Sequence, residues 1–293
     1  MPDRPGQVRV SGRSSSESPA WWRSQAQAHP PVDLKTDQPH SARMYDYYLG
    51  GKDNFPADRA AAEQALASFP NARTASHANR AFLARTTRHL AGEVGIRQFL
   101  DIGTGIPTSP NLHEVAQSVA SDARVVYADN DPIVLSHARA LLTSTAQGAT
   151  AYLDVDLRDP QRILAAPELR STLDLTQPVA LSVLAIMHFI PDADDPHGLL
   201  SQLLDGLPPG SYLTLSHATA DLDEGMERLA ASYRASGIPA QQRTHAEILT
   251  FFDGLDLLDP GLQFVHRWRP DPDAPPTVTD AEVSFYGAVA RKS

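Results

Sequence analysis

Asp101, Gly103, Thr104 and Gly105 stand in the run Phe99-Leu100-Asp101-Ile102-Gly103-Thr104-Gly105, where a short apolar stretch meets an acid and two glycines. Two further acids, Asp129 and Asp156, close the next two apolar stretches. A carboxylate can accept several hydrogen bonds at once, and glycine lets a backbone turn tightly and approach a ligand with no Cβ in the way. Such groups at the carboxyl ends of parallel strands are where open α/β sheets bind nucleotides. A dinucleotide site needs a third glycine, in the pattern G-x-G-x-x-G. Here Gly103-Thr104-Gly105-Ile106-Pro107-Thr108 puts Thr108 at that position, and Pro107 removes an N–H that could bind phosphate.

Acid-x-Gly-x-Gly without the third glycine suits S-adenosylmethionine, which carries no phosphate and needs no anion cradle. On that reading Asp129, at the tip of the second strand, accepts hydrogen bonds from both hydroxyls of a ribose diol. Asp156 accepts the exocyclic amine of an adenine, and the Leu157 amide serves a ring nitrogen. Asp154 and Asp159 compete with Asp156 for that role. Two rival functions stay open: an NAD-dependent oxidoreductase, disfavoured by the missing glycine, and a non-catalytic S-adenosylmethionine-binding regulatory protein.

The elements that must position these residues alternate. Strands are expected at Phe99 to Ile102, Arg124 to Asp129, Ala149 onward, Pro178 to Met187 and Tyr212 to Ser216. The fourth is nearly continuous apolar, as a strand buried on both faces should be. Asn111 with Glu114 reads as an N-cap, opening a helix to about Ala120, and Asp131-Pro132 opens a second from Ile133 to Leu142. Further helices are expected after Pro196 and from Asp221 to about Ala235. Ahead of the first strand, Gly50-Gly51 breaks an aromatic-rich turn, Pro56 starts a helix to Phe69, and another runs from Ala72 to Ala91, stopping at Gly92. The pattern is that of a doubly wound, Rossmann-like α/β domain.

The chain resembles the class I S-adenosylmethionine-dependent methyltransferases. It is similar, more narrowly, to an actinobacterial family of them long catalogued as a domain of unknown function. The residues that carry this are Ala42-Arg43-Met44-Tyr45-Asp46-Tyr47-Tyr48-Leu49-Gly50-Gly51-Lys52-Asp53-Asn54-Phe55, the Asp101 loop through Gln117, and Tyr127-Ala128-Asp129-Asn130-Asp131-Pro132. Asp156-Leu157-Arg158-Asp159-Pro160, His188-Phe189-Ile190-Pro191-Asp192 and Ser216-His217-Ala218-Thr219 add to it. The resemblance implies a seven-stranded sheet with the last strand antiparallel, for which Leu255 to Val265 and Ser284 to Arg291 are the remaining candidates. It implies that Asn130 joins Asp129 at the cofactor. It also implies that a helical extension, residues 39 to 92, lies over the cofactor as a lid, with Tyr45, Tyr47, Tyr48, Asn54 and Arg80 as candidates to touch the methionine moiety or the acceptor. Methyl transfer needs alignment and exclusion of water more than a metal. A hydroxyl or protonated amine acceptor also needs a base, and His188, just past the fourth strand, stands where one would be, with His217 and Asp192 as lesser candidates. His113 reads as structural or as pocket wall.

Composition narrows the partners. The 293 residues carry a formal net charge of −10, which disfavours a nucleic-acid substrate and favours a small molecule or peptide as methyl acceptor. There is no cysteine, so disulfides and thiolate chemistry are excluded, and a cytoplasmic location fits. The longest apolar run, Val179 to Ile190, is too short for a membrane span. The scattered His and Asp offer no helical ligand pair with a third nearby, so no metal is expected. Residues 1 to 38, rich in Ser, Pro, Arg and Gln, read as a disordered tail carrying Trp21-Trp22, and residues 39 to 293 as one domain. Nothing in the sequence speaks to oligomeric state.

Overall fold

The structure is a computed structural model that describes residues 34–141, 144–271 and 278–293. The expected tail, with Trp21-Trp22, lies outside these residues as far as Asp33, as does the Leu142 end of the helix expected from Ile133. Leu34 to Gln38, expected to belong to that tail, are tied down. The Arg43 guanidinium donates to the carbonyls of Leu34, Lys35 and Gln38 at 3.1, 3.4 and 2.8 Å.

The strands are β1 (Gln98–Ile102), β2 (Arg124–Asp129), β3 (Ala149–Asp154), β4 (Ala180–Leu184), β5 (Tyr212–Ala218), β6 (Asp256–Leu257), β7 (Gln263–Phe264) and β8 (Phe285–Arg291). They form one sheet in the order β3-β2-β1-β4-β5-β8-β6, with β7 also on β8. β1 to β5 are parallel, and β8 runs antiparallel to β5. The single strand expected over Leu255 to Val265 is instead the two short pieces β6 and β7. Between them Pro260 has no N–H to give a ladder, and Gly261 turns the chain at φ +80°. β4 is shorter than its apolar run, because Ala185 leaves the extended region at φ +54°.

The helices are α1 (Ser41–Tyr48), α2 (Pro56–Ser68), α3 (Ala72–His89), α4 (Leu112–Val119), α5 (Pro132–Leu141), α6 (Pro160–Ala165), α7 (Pro167–Thr172), α8 (Pro196–Asp205), α9 (Gly225–Ala235), α10 (His245–Leu249) and α11 (Asp280–Val283). Local chemistry sets their ends. Glu114 Oε2 accepts the Asn111 N–H at 2.6 Å to open α4, and Asp131 Oδ1 accepts from Ile133 at 2.9 Å in front of Pro132 to open α5. The chain after α3 passes through the expected stop at Gly92 in a π turn, Leu90–Val94, and ends at Gly95, which takes φ +86°. Gly92 serves packing instead: a Cβ there would lie 3.2 Å from Val119 of α4. α9 begins later than expected, after a turn in which Asp223 accepts the Gly225 N–H at 2.7 Å.

Every residue of β1 and β4 is buried, since helices cover both faces. Leu100, Ile102, Leu181, Val183, Leu213 and Leu215 face one core layer, under α6, α7, α8 and α10. Phe99, Ala180, Leu184 and Ala218 face the other, under α2, α3, α4 and α9. The two-residue period of a strand therefore turns Asp101, Ser182 and Ser216 toward the N-terminal helices, and Asp101 and Ser182 are register partners. Among the described residues, no helix is long and apolar enough to cross a membrane.

Candidate active site

At the carboxyl ends of β1, β2 and β3 the chain surrounds a cavity of about 320 Å³, within the usual range for small-molecule sites. Gly103 and Gly105 take φ +71° and +68°, a region L side chains rarely adopt. A Cβ on Gly103 would come 2.8 Å from Ile186 Cγ1, whereas one on Gly105 would meet nothing within 4 Å. Asp129 Oδ2 accepts the Gly105 N–H at 2.8 Å, and its Oδ1 accepts the Asp131 N–H at 2.9 Å. Each oxygen thus keeps a further lone pair. Burial pushes the Asp129 carboxyl up, against the pull of those two N–H groups.

Asp101 lies behind the same turn. Burial raises its carboxyl to about 6, opposed by Arg80 and by hydrogen bonds from Ser182 and Thr104. The Thr104 hydroxyl donates to Asp101 Oδ2 at 3.3 Å. Across the cavity Asn130 Nδ2 donates to Asp156 Oδ2 at 2.6 Å, and the Arg158 N–H donates to Asp156 Oδ1 at 2.8 Å. Leu157 is buried on the cavity wall, and its amide has no partner among the described residues. Of the three acids that competed here, only Asp156 lines the cavity. Asp154 is exposed at the end of β3, and Asp159 caps α6 by accepting from Arg162 at 3.0 Å.

The N-terminal helices contribute to the cavity lining, and they place two of the expected contacts elsewhere. On α1, Tyr45 and Tyr48 are three apart and share the face toward the cavity. Tyr47 stands on the other side: its hydroxyl bonds Glu63 and its ring lies under the Arg73 guanidinium, 4.7 Å away, so it does not reach the cavity. Asn54 also misses it, donating to Asp46 at 2.7 Å and to the Gly51 carbonyl at 3.1 Å. Arg80 does line the cavity, where it straps the loop after Gly105 by donating to the carbonyls of Thr108 and Pro110, both at 2.6 Å.

Two buried polar assemblies hold this arrangement, and neither was legible from the sequence. In the first, Tyr45 donates to the Ser76 carbonyl at 3.0 Å and accepts from Asn79 at 3.1 Å. Asn79 Oδ1 accepts from Ser216 at 2.7 Å, and Ser216 Oγ accepts the Ala185 N–H at 3.0 Å, which fixes Ala185 in its positive-φ conformation. In the second, Arg43 Nε sits 3.2 Å from Asp58 and 3.6 Å from Asp131, contacts of charge without hydrogen-bond alignment. His40 Nδ1 lies 3.1 Å from the same Asp131 oxygen. These partners are brought together from far apart in the chain, and no local pattern announces them.

His188 lines the cavity at 8% exposure, its ring against Phe189, Phe285 and His217. Burial, with Arg243 adding to it, lowers its pKa to about 3, so the ring is neutral. The Ala218 N–H points at its Nδ1 over a long 3.5 Å, a weak contact that favours the ring proton on Nε2. His217 faces the opposite core layer, bonding the Ala218 carbonyl through Nδ1 at 2.6 Å and accepting from Arg243 at Nε2 at 2.9 Å. Arg243, buried and unanticipated, also donates to the Met187 and Ile190 carbonyls and to Asp192. His217 and Asp192 are therefore partners of Arg243 and do not line the cavity. His113 bonds the Tyr127 hydroxyl at 2.8 Å, buried away from the cavity.

The comparisons with known proteins agree with one another. The family model described as S-adenosyl methyltransferase matches residues 27–293. A crystal structure of a DUF574 family protein from Streptomyces avermitilis MA-4680 is similar at 53% identity, covering 89% of this chain and 100% of that one, with a TM-score of 0.87. A protein from Thermobifida fusca YX, described as a candidate methyltransferase, is 39% identical over 90% of this chain and 98% of its own, with a TM-score of 0.82. Among curated proteins, none matches the chain.

Proposed function

The chain belongs to the S-adenosyl methyltransferase family, with S-adenosylmethionine as methyl donor, and on that premise we propose that it methylates a small-molecule or peptide acceptor held beside a ribose-binding Asp129. The observation that carries this reading is the Asp129 carboxylate, anchored by one backbone N–H on each oxygen with a lone pair left on each. A diol needs two acceptors at that spacing, and the anchoring fixes them before the ligand arrives. The residues present fit the group. Gly105 leaves open space where its side chain would project, and Leu157 offers, beside Asp156, an amide with no partner among the described residues.

When bound, S-adenosylmethionine supplies a sulfonium methyl that an acceptor lone pair can displace in line. The protein's part is to bind, orient and exclude water. Asp129 holds the ribose, Asp156 and Leu157 read the adenine edge, and Asn130 fixes the Asp156 carboxylate. Asp101, set in place by Thr104 and Ser182, would take the cationic part of the donor, and Arg80 holds the loop after Gly105 in place. His188 has too little proton affinity to act as a strong base at neutral pH; its Nε2–H suits it to orient an acceptor atom. The net charge of −10 supports a small molecule or peptide over nucleic acid.

Calorimetry with S-adenosylmethionine, S-adenosylhomocysteine and NAD, followed by a labelled-methyl acceptor screen, tests the proposal. The first two ligands should bind and NAD should not. Binding of NAD in preference to S-adenosylhomocysteine would overturn it.

A further inference from the structure

The cavity has two ends of different chemistry. Of its charged lining residues, Arg80, Asp101, Asp129 and Asp156 belong to the cofactor end, and Arg158, held by Asp156 and Asp194, reaches toward the other end only as far as the Phe189 carbonyl, 3.2 Å from its Nη2. Beyond Tyr48 and His188 the wall is built by Phe69, Met226, Tyr233, Phe285 and Ile238, and no Asp, Glu, Lys or Arg lines it among the described residues. The groups there that could ionise are held neutral by burial: His188 is lowered to about 3, and Tyr48 and Tyr233 are raised. The polar groups facing this end are few. Tyr233 donates to the Tyr48 hydroxyl at 3.2 Å, which leaves the Tyr48 proton for another acceptor. His188 Nε2 has no partner among the described residues. Gln242 lines the same wall, with Nε2 fixed on the Met226 carbonyl at 3.2 Å and Oε1 buried without a hydrogen bond.

The wall is also firmly placed. Arg234 donates to the Ala240 carbonyl at 2.7 Å, and the Gln241 N–H donates to the His188 carbonyl at 2.8 Å, so the segment after α9 is tied to the residue that divides the two ends. A charged acceptor entering here would lose its hydration, and among the described residues no Asp, Glu, Lys or Arg lines that wall to offset the loss. A neutral ring-bearing acceptor would lose little and gain apolar contact.

We propose that this aromatic end is the acceptor subsite, and that the acceptor is an uncharged, largely apolar small molecule whose reacting oxygen or nitrogen lies against His188 and Tyr48. The proposal rests on the methyltransferase reading above and deepens it by naming the acceptor class. A peptide acceptor could enter only through an uncharged apolar side chain.

The test uses three probes on one skeleton, 2-naphthol, 2-naphthoate and 2-naphthylmethylammonium, titrated by calorimetry into protein saturated with S-adenosylhomocysteine. S-Adenosylhomocysteine binding is measured first, so that its failure strikes the cofactor reading and stays distinct from a failure of the three probes. The naphthol should bind at least tenfold more tightly than either charged probe. Ala230→Phe, which fills this end from α9, should abolish naphthol binding and leave S-adenosylhomocysteine affinity unchanged. Should that variant not fold, Gln242→Glu, which places a charge on the wall, should weaken naphthol binding at least threefold at unchanged cofactor affinity. A charged probe binding as tightly as naphthol, or no probe binding to cofactor-loaded protein, would overturn the proposal.

Discussion

Asp129 and Asp101 are both buried carboxylates at strand ends, yet their surroundings differ and invite different tests. Asp129→Ala removes an acceptor pair poised for a diol, each charge-assisted bond being worth about 1.5–3 kcal/mol. S-Adenosylhomocysteine affinity should fall at least tenfold by calorimetry, and an unchanged affinity in folded protein would remove Asp129 from the site. For Asp101 the readout is pH. Its folded value, about 6, stands above the ordinary 3.8, so between those two the folded state holds more protons than the unfolded one. The stability it contributes is therefore present below 3.8 and lost as pH rises through 6. Asp101→Asn should gain on the wild type by on the order of 1–3 kcal/mol between about pH 4 and pH 7 in urea unfolding. A difference that does not change with pH would show that Asp101 ionises normally. The positions legible in the sequence were those set along a strand: Asp101, Asp129 and Asp156 sit at consecutive strand ends and line the cavity. Tyr47 points away from the cavity because neighbouring residues on a helix point in different directions, and the aromatic cluster alone does not say which member faces it. Gln242 and Arg243 left no signal, since their partners lie on other elements, 16 residues away for Gln242 and 26 to 56 for Arg243.

At the scale of elements, the turn after β1 and the docking of α1 invite separate tests. Gly105 has open space where a side chain would project, so the side chain of Gly105→Val meets no protein atom, and its cost to the protein is confined to the strain of a branched residue at φ +68° in the turn. It should abolish S-adenosylhomocysteine binding while far-UV circular dichroism stays unchanged. Normal binding would move the ligand off this turn. Gly103→Val is less discriminating, because its side chain would strike Ile186 and disturb the apo structure too. Among the described residues, Arg43 is the only guanidinium within 4 Å of Asp58 and Asp131, both buried. Arg43→Met should cost roughly 3–5 kcal/mol, the usual penalty for stranding buried charge, read as a lowered urea midpoint. A loss below ~1 kcal/mol would mean the cluster is not holding the helices down. Strands and helices with their own caps, such as β2 and α4, were legible from sequence. The β6 and β7 region was not, because two-residue strands carry no period and exist only through pairing with β8. The helix stop at Gly95 in place of Gly92 was hidden for a related reason: both are glycines, and only packing against α4 decides which one turns.

For the whole molecule, Leu34 to Ser293 forms one compact unit, and residues 39 to 70 are part of it. We expect that segment to behave as a lid over the cofactor. About thirty residues cannot bury a core of their own. Here Tyr45 and Tyr48 line the cavity, while His40 and Arg43 reach Asp131, two residues beyond Asp129. A ligand touching Asp129 and Tyr45 together must favour the closed arrangement, and at a hundredfold excess over its dissociation constant it would add up to about 2.7 kcal/mol against opening. Amide exchange over Ser41 to Phe55 should therefore slow when S-adenosylhomocysteine is added. Removing residues 1 to 33 should leave binding intact, because the first carbonyls held by Arg43 begin at Leu34. Removing residues 1 to 55 deletes α1 and with it one wall of the cavity, and should abolish binding. If the longer truncation folds and binds as well as the full chain, α1 serves packing or the acceptor, and the cofactor is held by the sheet alone.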